Sequence, residues 1–208
     1  MVRLVVSPTR PDRALLGRAA SVLARGGLVI FPTDTLYGLA ADPRIPAAVE
    51  RVFAIKGRPA GQPLPLIAAS LAQVEEAFGE VTAATRLLAE CFWPGPLTLV
   101  IDAGGQIAPA ALGPGRTTAV RVPAHEVARG LSATLGFPIV STSANRTGEP
   151  GAEEPDRAAG ALGEGVDLLL DAGRVDGGLP STIVDARQQP PRLIRAGAIG
   201  FDRVRGAV

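Results

Sequence analysis

Three residue types that often carry chemistry are nearly missing from this sequence. It has one cysteine, Cys91, one histidine, His125, and one lysine, Lys56. A lone cysteine excludes an intramolecular disulfide and a multi-cysteine zinc site. With a single histidine, a Cys/His metal cluster is out of reach. Any Ser-His-Asp triad must run through His125, and no Ser-Asp pair stands around it at recognisable spacing. Aromatic residues make up only 4%, so the core must be built from Val, Leu, Ile and Ala. No apolar run reaches the ~18 residues needed to span a bilayer. The N-terminal "MVRLVVSPTRPDR" also lacks the apolar stretch of a signal peptide, so the expected location is a reducing cytoplasm. The net charge of +1 gives no global pull toward nucleic acid or anionic membrane. Neither G-x-x-x-x-G-K-[ST] nor a strand-linked G-x-G-x-x-G occurs. A nucleotide would have to be held by side chains on a less common fold.

What is present fits one soluble domain over residues 1–208, with 47% apolar residues and many tight connections at 25 Gly and 19 Pro. "PDRALLGRAASVLARGG" reads as a helix capped by Asp12, with Leu15, Ala19, Val22 and Leu23 as its apolar stripe and Gly26–Gly27 at its end. "LVIF" follows as a buried strand, then "PTDTLYGLAADP" as a hydroxyl-rich loop. "IPAAVERVFAIK" reads as a helix with Pro46 in its first turn. "GRPAGQP" breaks it, and "LPLIAA" returns as a strand. Ser70 and Gln73 form a capping box for "LAQVEEAF". A helix at "TAATRLLAECF", strands at "PLTLVID" and "TAVRVP", a helix at "AHEVARGLSATLG" and a strand at "PIVSTSAN" come next. "VDLLLDAG", "STIVDA" and "PRLIRAG" close the chain as strands. Alternation in the first half and strands in the last third predict an α/β (α+β) domain around one twisted mixed sheet flanked by helices.

Four polar clusters stand out. Thr33, Asp34 and Thr35 follow "LVIF". Lys56 and Arg58 follow a helix. Ser141, Thr142, Ser143 and Asn145 follow "PIV". Arg121 and Arg195 interrupt strand patterns. Ligands bind at the carboxyl ends of strands in open α/β sheets, and hydroxyls there can bond phosphate or carboxylate oxygens. Each cluster also has a structural reading: "PTDT" and "STSAN" as turns, the arginines as rim residues, and Lys56 with Arg58 as partners of a helix dipole. Cys91 and Trp93, among apolar neighbours, read as packing. Of the 21 basic side chains, 20 are arginine, so the lone Lys-x-Arg pair is distinctive. It would join a compact point charge to a planar fork, which suits phosphate.

Together the clusters resemble the YrdC/Sua5 family of threonylcarbamoyl-AMP synthases. "FPTDTLYGLAADP" is similar to its opening motif, "KGRP" to its K-x-R element and "STSAN" to its S-x-N element. "WPGPLTLV", "AVRVP", "STIVD" and "LIRAG" follow in the family's order, and the resemblance covers about residues 15–200. It implies a YrdC-like fold with a large basic cavity. It implies formation of threonylcarbamoyl-AMP and pyrophosphate from L-threonine, bicarbonate or CO2, and ATP, with Mg2+ accompanying the ATP and no organic cofactor. A downstream threonylcarbamoyl-transferase complex would use the product to modify adenosine 37 of tRNA, with weak tRNA binding by this protein as a further expectation.

By the resemblance, Lys56, Arg58, Ser143, Asn145 and Arg195 lie at the nucleotide, with Ser141 and Thr117 beside them. Lys56 and Arg58 are the catalytic pair, and no protein ligand to a metal is assigned. Thr33, Arg121 and Ser181 surround threonine. Lys56 and Arg58 should then face Ser143 and Asn145 across one cavity. Two departures stand out. Ile67 occupies the place of a histidine in Sua5-type members, and the Sua5 C-terminal domain and linker are missing, which implies the short single-domain form. Two other readings remain: a YrdC-like RNA-binding or ribosome-maturation protein without adenylate synthesis, and the YrdC-like module of the hydrogenase-maturation carbamoyltransferase. The second normally sits in a longer, cysteine-rich chain.

Overall fold

A computed structural model describes residues 1–59 and 61–208. Ala60, inside the "GRPAGQP" segment, lies outside the described residues. The helices begin and end where the local chemistry directs. The Asp12 carboxylate accepts from Ala14 N–H at 2.7 Å and starts α1 (Arg13–Ala24). Its buried face is Leu16, Ala19, Ala20 and Leu23, rotated slightly from the expected stripe. Pro46 opens α2 (Pro46–Lys56), and Gly57 closes it at φ 59°, a left-handed conformation that glycine adopts without strain. The Ser70 hydroxyl accepts from Gln73 N–H at 3.1 Å to start α3 (Leu71–Phe78), while the Gln73 side chain accepts from Ala69 N–H at 2.7 Å. Thr82 caps α4 (Ala83–Phe92), and α5 (Glu126–Leu135) ends at Gly136. Two helices were not anticipated: α6 (Pro155–Leu162) and α7 (Phe201–Arg205).

In chain order the strands are β1 (Val2–Val5), β2 (Val29–Phe31), β3 (Gly38–Ala40), β4 (Leu66–Ile67), β5 (Leu97–Asp102) and β6 (Thr117–Arg121). They continue with β7 (Ile139–Val140), β8 (Thr142–Ser143), β9 (Leu168–Asp171), β10 (Thr182–Asp185) and β11 (Arg192–Arg195). The mixed α/β character is as expected, but the strands form two mixed sheets where one was expected. A five-stranded sheet has the order β1-β9-β2-β3-β8, and a six-stranded sheet the order β11-β10-β5-β6-β4-β7.

The physical reason lies in "PIVSTSAN". This run is broken at Ser141, and its halves pair with different sheets: β7 with β4, β8 with β3. Val140 N–H bonds Ala41 O at 2.9 Å, Ser141 N–H bonds Pro65 O at 2.8 Å, and Ala144 N–H bonds Tyr37 O at 2.8 Å. One short segment thus stitches the two sheets together.

The core follows the period-2 alternation of the strands. Leu97 and Leu99 of β5 and Val184 of β10 pack on Leu88 of α4. Val29, Phe31 and Leu168 meet α1 and α5 on the far side of the other sheet. Ile30, Leu39, Leu66 and Val120 join the residues of α2 in the core that links the sheets. The opposite faces of β5, β6 and β10 carry Thr98, Ala119, Arg121 and Ile183, and these bound a cavity rather than a helix.

Candidate active site

The cavity has a volume of about 520 Å3 and lies between the two sheets. That size suits an organic ligand, since such sites commonly span about 300–1,000 Å3. Its floor is the six-stranded sheet. Its wall is the loop between β2 and β3 together with β8. These two hydroxyl-rich stretches are neighbours because Gly38 pairs with Ser143 across β3 and β8. Of the expected site residues, Thr33, Arg58, Arg121, Ser141, Ser143, Ser181 and Arg195 line the cavity. The described lining includes three arginines and no carboxylate.

Each arginine is held differently. Arg58 donates from Nη2 to Pro63 O at 2.9 Å, and its Nε is buried with no partner among the described residues. Arg195 donates from Nη2 to Ser181 O at 2.7 Å and to the Ser181 hydroxyl at 3.2 Å. Burial lowers the pKa of Arg58, while burial and then repulsion from Arg121 lower that of Arg195. Arg121, only 8% exposed, donates from Nη1 to both carboxylate oxygens of Asp34, at 2.9 and 3.0 Å.

Lys56 and Asn145 stand behind the wall rather than on it. Lys56 was expected to face Ser143 and Asn145 across one cavity; it meets both residues, but by direct contact outside the cavity lining. Lys56 Nζ donates to Ser143 O at 2.6 Å, to Asn145 O at 2.8 Å and to Asn145 Oδ1 at 3.4 Å. Only 4% of the residue is exposed. Burial, and secondarily the charge of Arg58, push its amine down to about 8. The physical cause of this placement is the Gly57 cap. It ends α2 at Lys56, next to Thr147, whose N–H bonds Lys56 O at 2.9 Å.

Thr117 is on the cavity face of β6 by its two-residue phase with Ala119 and Arg121, but it does not line the space, and its hydroxyl donates to Pro114 O at 3.0 Å. The Thr33 hydroxyl donates to Leu36 O at 2.6 Å and accepts from the N–H groups of Thr35 and Leu36, each at 3.2 Å. It therefore builds the turn while also touching the cavity. Ile67 is the register partner of Arg121 on the neighbouring strand and also lines the cavity.

Three contributors were given no role from sequence. Thr98 lines the floor and shares a 2.7 Å hydrogen bond with the Ser181 hydroxyl. Its signal was the hydroxyl at an alternate position of "PLTLVID". Asp34 was visible in "PTDT" but had no partner until Arg121 was seen beside it. Ile194 adds an apolar rim from β11. His125 lies outside the lining; its Nδ1 is buried without a partner among the described residues, and burial lowers its pKa. No group of three or more His, Cys, Asp or Glu side chains able to hold a metal occurs among the described residues, and no described helix is long and apolar enough to cross a membrane.

Comparison with known proteins places the chain among relatives of known fold. The Sua5/YciO/YrdC family model, described as telomere recombination, matches residues 21–197. A threonylcarbamoyl-AMP synthase of Pyrococcus abyssi is 38% identical over 186 residues, covering 89% of this chain and 55% of the relative. One from Nitrosococcus oceani is 39% identical over 169 residues, covering 81% of this chain and 91% of the relative. The crystal structure of P. abyssi Sua5 complexed with L-threonine superposes with a TM-score of 0.92 at 35% identity, covering 100% of this chain and 61% of that one. The chain thus spans little more than half of the P. abyssi relative and nearly all of the N. oceani one.

Proposed function

Since the chain belongs to the Sua5/YciO/YrdC family, we propose that it is a threonylcarbamoyl-AMP synthase using ATP, L-threonine and bicarbonate or CO2. The observation that carries this reading is the cavity lining: three guanidinium groups and a set of hydroxyls, with no carboxylate among the described residues. Such a lining suits two anionic substrates at once, a triphosphate and an amino-acid carboxylate. The names of the relatives and the L-threonine held by P. abyssi Sua5 support the same assignment.

In this reading Arg58 and Arg195 meet the nucleotide phosphates together with Ser141 and Ser143. Lys56 holds the Ser143–Asn145 loop against the cavity and adds its positive charge from behind. Arg121 and Ser181 meet threonine beside the Thr33 turn. Thr117 stands at the far end of the same sheet face. Mg2+ enters as part of the nucleotide substrate, its charge shared with the phosphates.

The threonine amine forms a C–N bond to CO2 and loses a proton, giving N-carboxythreonine. A carbamate oxygen then attacks the α-phosphorus, the bond to the β-phosphate bridge oxygen breaks, and pyrophosphate leaves with that electron pair. The described lining offers no histidine, lysine or carboxylate as a base. The protein's contribution is positioning and stabilisation of phosphate charge. Transfer of the product to tRNA by a downstream complex, weak contact with tRNA and a cytoplasmic setting complete the proposal.

The test is pyrophosphate release by the purified protein. Release that requires ATP, L-threonine and bicarbonate together is the expected result. Release that is indifferent to threonine would refute the assignment.

A further inference from the structure

Among the described residues, Asp34 is the one carboxylate in contact with the cavity arginines, yet it does not line the cavity itself. Both of its oxygens accept from a single nitrogen of Arg121, Nη1, at 2.9 and 3.0 Å. The other edge of that guanidinium, Nε and Nη2, has no partner among the described residues. Arg121 itself lines the cavity. A carboxylate competing with a ligand would take the paired edge of the fork, because two parallel N–H···O bonds are the favoured arrangement. Asp34 instead takes the end nitrogen and leaves the paired edge free.

Asp34 is itself fixed. It follows Thr33, whose hydroxyl ties the turn to Leu36, and its Oδ2 also accepts from Ala124 N–H at 3.4 Å, just before α5. The pair is largely enclosed, with side-chain exposures of 10% for Arg121 and 16% for Asp34. An arginine on β6 of one sheet is thereby clamped by the turn after β2 of the other. The register partner of Arg121 on the neighbouring strand is the apolar Ile67, whose side chain carries no hydrogen-bond acceptor. His125, near the same carboxylate, is kept toward its neutral form by burial, so Arg121 is the cation that Asp34 serves.

We infer that Asp34 is a positioning residue that aims the free edge of Arg121 at the substrate carboxylate and so selects a ligand bearing one. This rests on the synthase reading for the identity of the ligand. Without Asp34 the guanidinium keeps its charge but loses its fixed direction, so the loss falls on ligands that carry a carboxylate and spares those that do not.

The experiment compares wild type with Asp34→Asn and Asp34→Ala, using KM and kcat for L-threonine, KM for ATP, and inhibition by threoninol, which lacks the carboxylate. The expected result is a rise in threonine KM of roughly tenfold or more, with ATP KM and threoninol inhibition changing less than about twofold. Thermal melts of the near-isosteric Asn variant check that it folds. Tighter threonine binding in either variant would mean that Asp34 competes for Arg121 and would overturn the inference. Equal weakening of threonine and threoninol would assign Asp34 a merely structural role and overturn it as well. If wild type uses threonine but both variants match it, this inference fails and the synthase reading stands. If wild type does not use threonine at all, both fail.

Discussion

Lys56 is a buried cation whose amine meets backbone carbonyls behind the cavity wall. Its rarity and its spacing from Arg58 marked it. Its end point, against the carbonyls of Ser143 and Asn145, depends on the turn at Gly57 and on a contact 89 residues away, which no local pattern encodes. Replacing it by methionine removes the charged donor from two carbonyls, so Lys56→Met is expected to cost about 1–3 kcal/mol of stability. The pH dependence has a definite sign. The folded amine titrates at about 8 and the unfolded one at 10.5. The unfolded chain binds the proton more tightly, so the cost of the buried charge is fully present below about pH 8. It is relieved as pH rises toward 10.5. Denaturant melts should show wild type gaining on Lys56→Met across that window, and parallel curves would refute the shift. In the proposed reading the arginines divide by substrate. Arg58→Ala should raise the ATP KM by roughly tenfold or more with little change for threonine, and Arg121→Ala should do the reverse. Steady-state kinetics on both variants checks the division, and a swapped pattern would exchange their assignments.

At the scale of elements, the long amphipathic helices and their caps were readable because each is specified locally: Asp12 before α1, Pro46 and Gly57 around α2, Ser70 before α3. The missed elements are those whose residues advertise something else. β3 is Gly-Leu-Ala within a run of turn formers and becomes a strand only by pairing with β2 and β8. β1 is a four-residue edge strand with one buried position, and α6 carries Pro and Gly in eight residues. Gly197, read only as the end of "PRLIRAG", has an element-scale role. A Cβ there would lie 2.2 Å from Pro180 O and 2.5 Å from Thr182 N. Backbone cannot move aside as a flexible side chain can. Gly197→Ala should therefore displace the Pro180–Thr182 segment and with it Ser181, costing about 1–3 kcal/mol. Thermal melts together with threonine KM check this, and an unchanged KM in a stable variant would show that the segment tolerates the methyl group.

Over the whole molecule, the cavity exists because two sheets are joined at a crossing segment and by a shared apolar core, which leaves beside it a space carrying arginines and hydroxyls. Sequence motifs supplied most of its lining, from Thr33 to Arg195. Composition could not reveal that the strands divide between two sheets, since the division depends on the break at Ser141 and on pairing partners far along the chain. The clamp between Asp34 and Arg121 was hidden for the same reason: 87 residues separate its halves. As the synthase proposed, this cavity would join threonine, a one-carbon unit and AMP in one product. The most direct measurement is mass spectrometry of the adenylate formed from 15N-threonine, 13C-bicarbonate and ATP. The expected product is a single threonylcarbamoyl-AMP species carrying both labels, formed in step with pyrophosphate. An adenylate that carries 15N without 13C, or no adenylate from folded protein, would contradict it.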